Sequence, residues 1–464
     1  MSKICIFASY KTYMTMNNTY KITGMIVSAI LLFTAYGCDK YNNDLNIDGD
    51  GGGEGTEHPD RVPGNYDRNV LLLYSAGYNS LTDFLISDIK DLKSGWLPGK
   101  NSDDNVLLVY KHSTASYYDY STPTSPHLIR IYSDDKGKVV SDTLVTYPLG
   151  SISSSAATLN EVLTYVKEKF PAKGYGMIFS SHATGYLPAG YYNSPEDYRF
   201  ESLAMMNAGQ FRDPVPVPYV EVEHDPSLPM VKSIGEDRRR GGEANISYEM
   251  DLPDFAEAIP MKLDYILFDA CLMGGIEVAY ELKDKCSKIG FSQAEVLAEG
   301  LDYKTLTKHL LQNDEPDPQS VCEDYFLQYD SESGVYRSAT VSFIDCEELE
   351  PLAEVCRNLF ETHRSGLAAI NPSKVQRFYR YSKHWFYDLE SIVMHAGASD
   401  EELKALHDAL DRCVLYAAHT PEFMMEFEID IFSGFSMYLP CDGGAELDKF
   451  YKTLKWNQAT ALVE

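Results

Sequence analysis

Apolar residues between positions 69 and 291 follow two alternating habits. Continuous runs occur at 69–74 (NVLLLY), 106–110 (VLLVY), 177–181 (MIFSS) and 263–268 (LDYILF). Each is short and almost unbroken, the pattern of a strand buried on both faces. Between the runs, apolar residues fall three and four apart. Leu81, Phe84, Leu85, Ile89 and Leu92 predict a helix over 79–92; Leu159, Val162, Leu163 and Val166 predict another over 157–170, stopped by Pro171. Residues 128–132 and 139–147 flank Asp134-Asp135-Lys136-Gly137 and predict a hairpin beside the sheet. Residues 188–245 are rich in Pro and charge and predict an irregular connection. A helix over 248–259, a helix over 276–282 and a strand at 288–291 follow. This β-α-β rhythm predicts an α/β fold with a mostly parallel sheet covered by helices. Ligands in such sheets sit beyond the carboxyl ends of the strands. His182 and Cys271 both fall at that edge.

From about 303 onward, helical spacing dominates, at 306–312, 320–329, 349–359 and 401–418. Residues 338–343 and 432–439 predict strands. This C-terminal α+β region, 303–464, either stands alone or covers the first.

The start of the chain reads as an address. Residues 1–37 hold Lys3, Lys11 and Lys21 and no acid, with an apolar run at 25–35. Crossing a bilayer takes roughly 20 apolar residues, so the run fits a secretory signal rather than a span. Ala35-Tyr36-Gly37-Cys38 follows and resembles a bacterial lipoprotein processing site. It implies a lipidated Cys38, a membrane anchor and a place in the bacterial cell envelope; the plainer alternative is signal cleavage without lipid. Translation from Met14 or Met16 would give a signal of more usual length. Residues 38–68 hold Gly49, Gly51, Gly52, Gly53, Gly55 and Gly64 among Asn and Asp and read as a tether. Asp48-Gly49-Asp50 hints at calcium but lacks the remaining ligands of a calcium loop.

Composition narrows the classes. Hydrophobic residues make up 44%, enough for a sizeable core, which excludes global disorder. The 40 basic residues against 69 acidic ones leave a charge of −29, which argues against a nucleic-acid partner. After Cys38 come Cys271, Cys286, Cys322, Cys346, Cys356, Cys413 and Cys441, an odd set without CxxC spacing. Neither a metal site nor a disulfide framework is expected from it.

Cysteine chemistry needs a thiolate, and an imidazole beside it supplies both the activation and the proton for a leaving amine. If the strands before His182 and Cys271 are neighbours, the two side chains share one edge. Ala183-Thr184-Gly185 and Gly274-Gly275 offer flexible backbone there, whose N–H groups suit an oxyanion. The plain alternative is a core cysteine and a structural histidine. A serine hydrolase built on Ser180-Ser181-His182 has less support, because no GxSxG turn accompanies it.

Asp269-Ala270-Cys271-Leu272-Met273 followed by Ile276-Glu277-Val278-Ala279-Tyr280-Glu281-Leu282 resembles the nucleophile segment of clostripain-like cysteine peptidases. His182-x-x-Gly185 resembles their base motif, and 69–80 their opening strand and turn. Tyr387-Asp388-Leu389 and 433–440 resemble their C-terminal motifs. The resemblance implies a caspase-like fold over 69–302, completed by 303–464, and cleavage after basic residues. By it, Cys271 is the nucleophile and His182 the acid/base. The backbone N–H groups of Gly185 and Cys271 form the oxyanion site. Asp269 receives a P1 Arg or Lys, with Glu299 a second candidate. Relatives are often activated by cleavage between base and nucleophile, which singles out Arg238, Arg239 and Arg240. Some require calcium; no ligand set is identifiable here. Two positions depart from the family pattern: Ala183 stands where Gly is common and Tyr186 where Trp is common. A β-carbon at 183 threatens the oxyanion site, so an inactive envelope lipoprotein that binds peptide or a partner is the alternative.

Overall fold

The computed structural model describes residues 67–101, 104–116, 119–200, 211–218, 237–241, 244–381, 383 and 385–464. Cys38, the signal and the tether lie outside the described residues. The chain runs β1 (Asn69–Gly77), α1 (Thr82–Ser94), β2 (Val106–Ser116), β3 (Asp119–Pro123), β4 (His127–Ser133), β5 (Val139–Thr146), α2 (Ala156–Lys169) and β6 (Gly174–Ser180). Next come β7 (Val215–Pro218), β8 (Asp237–Gly241), β9 (Ala244–Glu249), α3 (Leu252–Ala258), β10 (Leu263–Asp269), α4 (Ile276–Leu282) and β11 (Cys286–Phe291). All nine residues of β1 are buried, as a strand covered on both faces requires.

The main sheet has ten strands in the order β14-β12-β11-β10-β6-β1-β2-β4-β5, with β3 on β2; here β12 is Thr340–Asp345 and β14 is Val414–His419. Its centre is parallel, through β2–β1, β1–β6, β6–β10 and β10–β11. Both flanks are antiparallel: β2-β4-β5 carries the expected hairpin, and β11-β12-β14 closes the other side. The C-terminal region thus supplies two strands of the same sheet, and it forms one compact unit with the rest.

Several expected elements differ. Part of the stretch expected to be irregular folds as a separate antiparallel sheet, β7-β9-β8. Its alternating residues (Ile246, Tyr248) had been hidden by the surrounding Pro and charge. Residues 248 and 249 end β9, and the helix starts only at Leu252 with Pro253 in its first turn. The helix expected over 401–418 stops at Cys413, because Val414 is extended and enters β14. At 432–439 only Ser436 and Met437 pair as strand, against Tyr387 and Asp388.

Two buried carboxyls organise the C-terminal region, Glu277 by tying it to this framework and Asp388 by joining two of its own segments. Glu277, in the first turn of α4, accepts hydrogen bonds from the Tyr438 N–H (2.8 Å) and the Tyr451 hydroxyl (2.7 Å). Asp388 accepts from the N–H groups of Ser391 (2.9 Å) and Ser433 (2.8 Å). Burial pushes both up to about 7, against the hydrogen bonds that favour their charged forms. For Glu277, whose ordinary value is 4.5, stability is fully present below that pH and falls as pH rises through 7. Glu277→Gln removes this loss, worth about 3 kcal/mol across the window. The melting temperature of the variant relative to wild type therefore rises between pH 5 and pH 8. An equal offset at both pH values would show that Glu277 does not titrate in this range.

Candidate active site

The parallel pairing of β6 with β10 aligns Ser180 with Asp269. His182 and Cys271 each stand two residues beyond that pair, so the register brings them to equivalent places on the carboxyl edge. The turns that carry them touch. Gly185 is left-handed (φ +57°), and a β-carbon there would lie 2.4 Å from the Leu272 carbonyl oxygen. Only glycine fits that approach. Leu272 is itself left-handed (φ +61°), a conformation costing about 1–2 kcal/mol for a residue with a β-carbon. It is held there by Leu272 N–H to Ala294 O (2.9 Å) and Gly274 N–H to Ser292 O (2.7 Å). Gly274 therefore spends its N–H on the fold and does not offer it to an oxyanion.

Cys271 has 0% exposure. Its sulfur accepts from the Val296 N–H at 3.1 Å and donates to the Val296 carbonyl at 3.6 Å, so the thiol faces the 292–296 segment. His182 is buried, with Nε2 3.0 Å from the Ser80 hydroxyl. It lines a crevice of about 640 Å³, counting its open mouth, together with Ala183, Gly185, Glu249, Leu252 and Met273. Ala183 is not left-handed, so its β-carbon imposes no backbone strain. Tyr186 fills its place by burying its ring against Phe386, Tyr438 and Tyr451 and donating to the Trp385 carbonyl at 2.8 Å.

Asp269 also has 0% exposure. Its Oδ2 accepts from the hydroxyls of Ser180 (2.7 Å) and Tyr303 (2.6 Å). Burial, then the charge of Asp269, pushes the Tyr303 phenol well above its ordinary value and keeps it a donor. Glu299 is exposed on the following segment. Arg238, Arg239 and Arg240 lie on β8, an edge strand whose backbone pairs with Ser247, Ile246 and Asn245. They are therefore part of a small sheet rather than an irregular run.

Sequence reasoning missed Ser80, Val296 and Tyr303, which hold the three predicted residues. It also missed Glu295, whose buried carboxylate meets the Arg380 guanidinium (Nε 3.1 Å from each oxygen) one residue from the thiol's clamp. Ser80 closes the 69–80 segment that resembles the family's opening strand and turn, but nothing local marks any of these residues individually. Among the described residues there is no cluster of three or more His, Cys, Asp or Glu able to hold a metal ion.

The sequence model of the clostripain family matches residues 73–202 and 223–462. The chain belongs to the clostripain family. This makes it a cysteine peptidase by family, with a caspase-like sheet as expected. Solved structures similar to it include an inactive zymogen C11 protease from Parabacteroides distasonis. That structure has TM-score 0.66 and 25% identity, covering 86% of this chain and 99% of that one. The secreted C11 cysteine protease "iotapain" from Bacteroides thetaiotaomicron is similar in fold, with TM-score 0.63 and 22% identity, over 86% of this chain and 99% of that one. The structure of a secreted C11 cysteine protease from the same organism with an irreversible peptide inhibitor gives TM-score 0.63 and 22% identity, over 85% and 99%. No curated protein matches the chain.

For this clostripain-family chain, the burial of Cys271 has a direct chemical consequence. Cys441 is exposed. A thiol-alkylating reagent applied to the intact native protein should modify Cys441 first and leave Cys271 protected. Peptide mapping by mass spectrometry checks this; equal labelling of both would contradict the buried geometry.

Proposed function

We propose that the protein is an exported cysteine endopeptidase that cuts after Arg or Lys, with Cys271 as nucleophile and His182 as acid/base. The observation that carries this reading is the Ser180–Asp269 register, which gives both residues the same place on one sheet edge. In the proposed reaction the Cys271 thiol passes its proton to His182 and the sulfur attacks the scissile carbonyl carbon. The N–H groups of Gly185 and Cys271 receive the oxyanion. His182 protonates the departing amine, and water then hydrolyses the thioester. Asp269 meets the P1 guanidinium or ammonium with charge-assisted hydrogen bonds.

The intact chain is latent in this reading, since its nucleophile is buried. Cleavage beside Arg240, at the end of the edge strand β8, activates it by freeing the insert between base and nucleophile. Lipidation at Cys38 and the tether keep it in the bacterial cell envelope. The burial of Cys271 also suits a second reading, a lipoprotein that binds peptide without cutting it.

Arg- or Lys-linked fluorogenic peptides decide between them. Wild type nicked near Arg240 should turn over, while Cys271→Ala and His182→Ala fall by at least about a thousandfold. Activity surviving in Cys271→Ala removes the mechanism; a nicked wild type without activity favours binding. Spontaneous cleavage near Arg240 should occur in wild type and not in Cys271→Ala. Asp269→Asn should weaken basic P1 substrates selectively; uniform loss across substrates would assign Asp269 to structure.

A further inference from the structure

The base of a cysteine peptidase has two ring nitrogens, and only one can trade a proton with the sulfur. We infer that Ser80 is a positioning residue that engages Nε2 of His182 and leaves Nδ1 to exchange protons with Cys271 and the leaving amine. This rests on the proposed dyad and goes beyond it by assigning the roles of the two ring nitrogens and the residue that holds one of them.

The placement of Ser80 follows from the sheet. Strands β1 and β6 pair in parallel with Ser75 opposite Ser180, so the connection leaving β1 runs beside the one leaving β6. The two connections are pinned together by the Ser181 hydroxyl, which donates to the Ala76 carbonyl at 2.9 Å. Asn79 braces the β1–α1 turn from within. Its side chain donates to the Ala76 carbonyl at 3.0 Å and accepts from the Leu81 N–H at 2.9 Å. Thr82 adds a third tie, donating to the Gly77 carbonyl and accepting from the Thr114 N–H at 2.9 Å. Ser80 is thus carried on a backbone fixed on both sides, with its hydroxyl 3.0 Å from His182 Nε2.

A hydroxyl suits this place because it can turn. When His182 gains a proton from the thiol, both ring nitrogens carry hydrogen, and the Ser80 oxygen accepts from Nε2–H. A hydrogen bond to the charged form favours that form, so Ser80 supports the imidazolium of the ion pair without adding a charge of its own. On the β10 side, the register places Asp269 opposite Ser180 and Cys271 on the same sheet edge as the ring. Glu249 lies across the crevice, its carboxylate accepting from the Gly190 N–H at 2.8 Å, and Asp83 is exposed in the first turn of α1. None of them is altered by a change at Ser80.

The test is the pH profile of kcat/KM for nicked wild type, Ser80→Ala and Ser80→Thr on an Arg-linked fluorogenic peptide, with melting temperatures measured alongside. In Ser80→Ala, kcat/KM should fall about tenfold, and the alkaline limb, which reports deprotonation of the imidazolium, should move down by roughly 0.5–1 pH unit. Ser80→Thr, which keeps the hydroxyl, should restore both. If Ser80→Ala melts early, Ser80→Cys replaces it, with a side chain of similar size and a far weaker hydrogen-bonding group. An alkaline limb that coincides with wild type overturns the inference, whatever happens to the rate. Failure of the dyad itself is a separate result, read from activity retained by His182→Ala or Cys271→Ala.

Discussion

The alignment of β6 with β10 is the constraint on which the rest of the site depends. Parallel strands in register deliver their following residues to one edge, and here those residues are an imidazole and a thiol. A shift of one residue would turn every side chain of one strand to the opposite face and separate the pair. The register is protected by burial: Met177, Ile178, Ile266 and Leu267 fill the core from both faces, so a slipped pairing would expose or crowd them. Beyond the strands, the contact of Gly185 with the Leu272 carbonyl fixes how closely the two turns approach.

Each of the three central side chains is then held by a residue remote in sequence. Val296 faces the thiol, Ser80 the imidazole, Ser180 and Tyr303 the carboxylate. The partners come from the connections after β1 and β11 and from the end of β6, so the site is assembled only when the sheet is complete. The C-terminal region is part of that assembly. It adds β12 and β14 beyond β11 and wraps α4, the helix after Cys271, through Glu277.

This division explains what could be read from the sequence. The continuous apolar runs gave β1, β2, β6 and β10 directly, because strands covered on both faces carry their signal locally. Asp269 to Met273, with the helix that follows, carried the family. The short insert strands β7 and β9 escaped because polar residues and prolines dilute their alternation, and β14 escaped because Val414 continues the apolar spacing of the helix before it. Neither Ser80 nor Val296 carried a signal of its own. A serine in a turn and a valine in an apolar segment acquire meaning only when long-range pairing brings them to the nitrogen and the sulfur. The left-handed Leu272 was equally hidden, since its type gives no hint of a strained backbone.

Two buried carboxylates near Cys271 differ in a way that bears on the proposed preference for basic residues. Glu295 meets the Arg380 guanidinium, which offsets its charge and fixes it within the fold. Asp269 is held by the hydroxyls of Ser180 and Tyr303, donors that stabilise a carboxylate without cancelling its charge. Hydroxyls also rotate, so they can yield one lone-pair site to an incoming cation while keeping another bond to the oxygen. An ion pair such as Glu295–Arg380 would have to break to do the same, leaving a buried charge behind. On these grounds the proposed reading gives the basic side chain to Asp269, and Glu295 braces the segment that clamps the thiol.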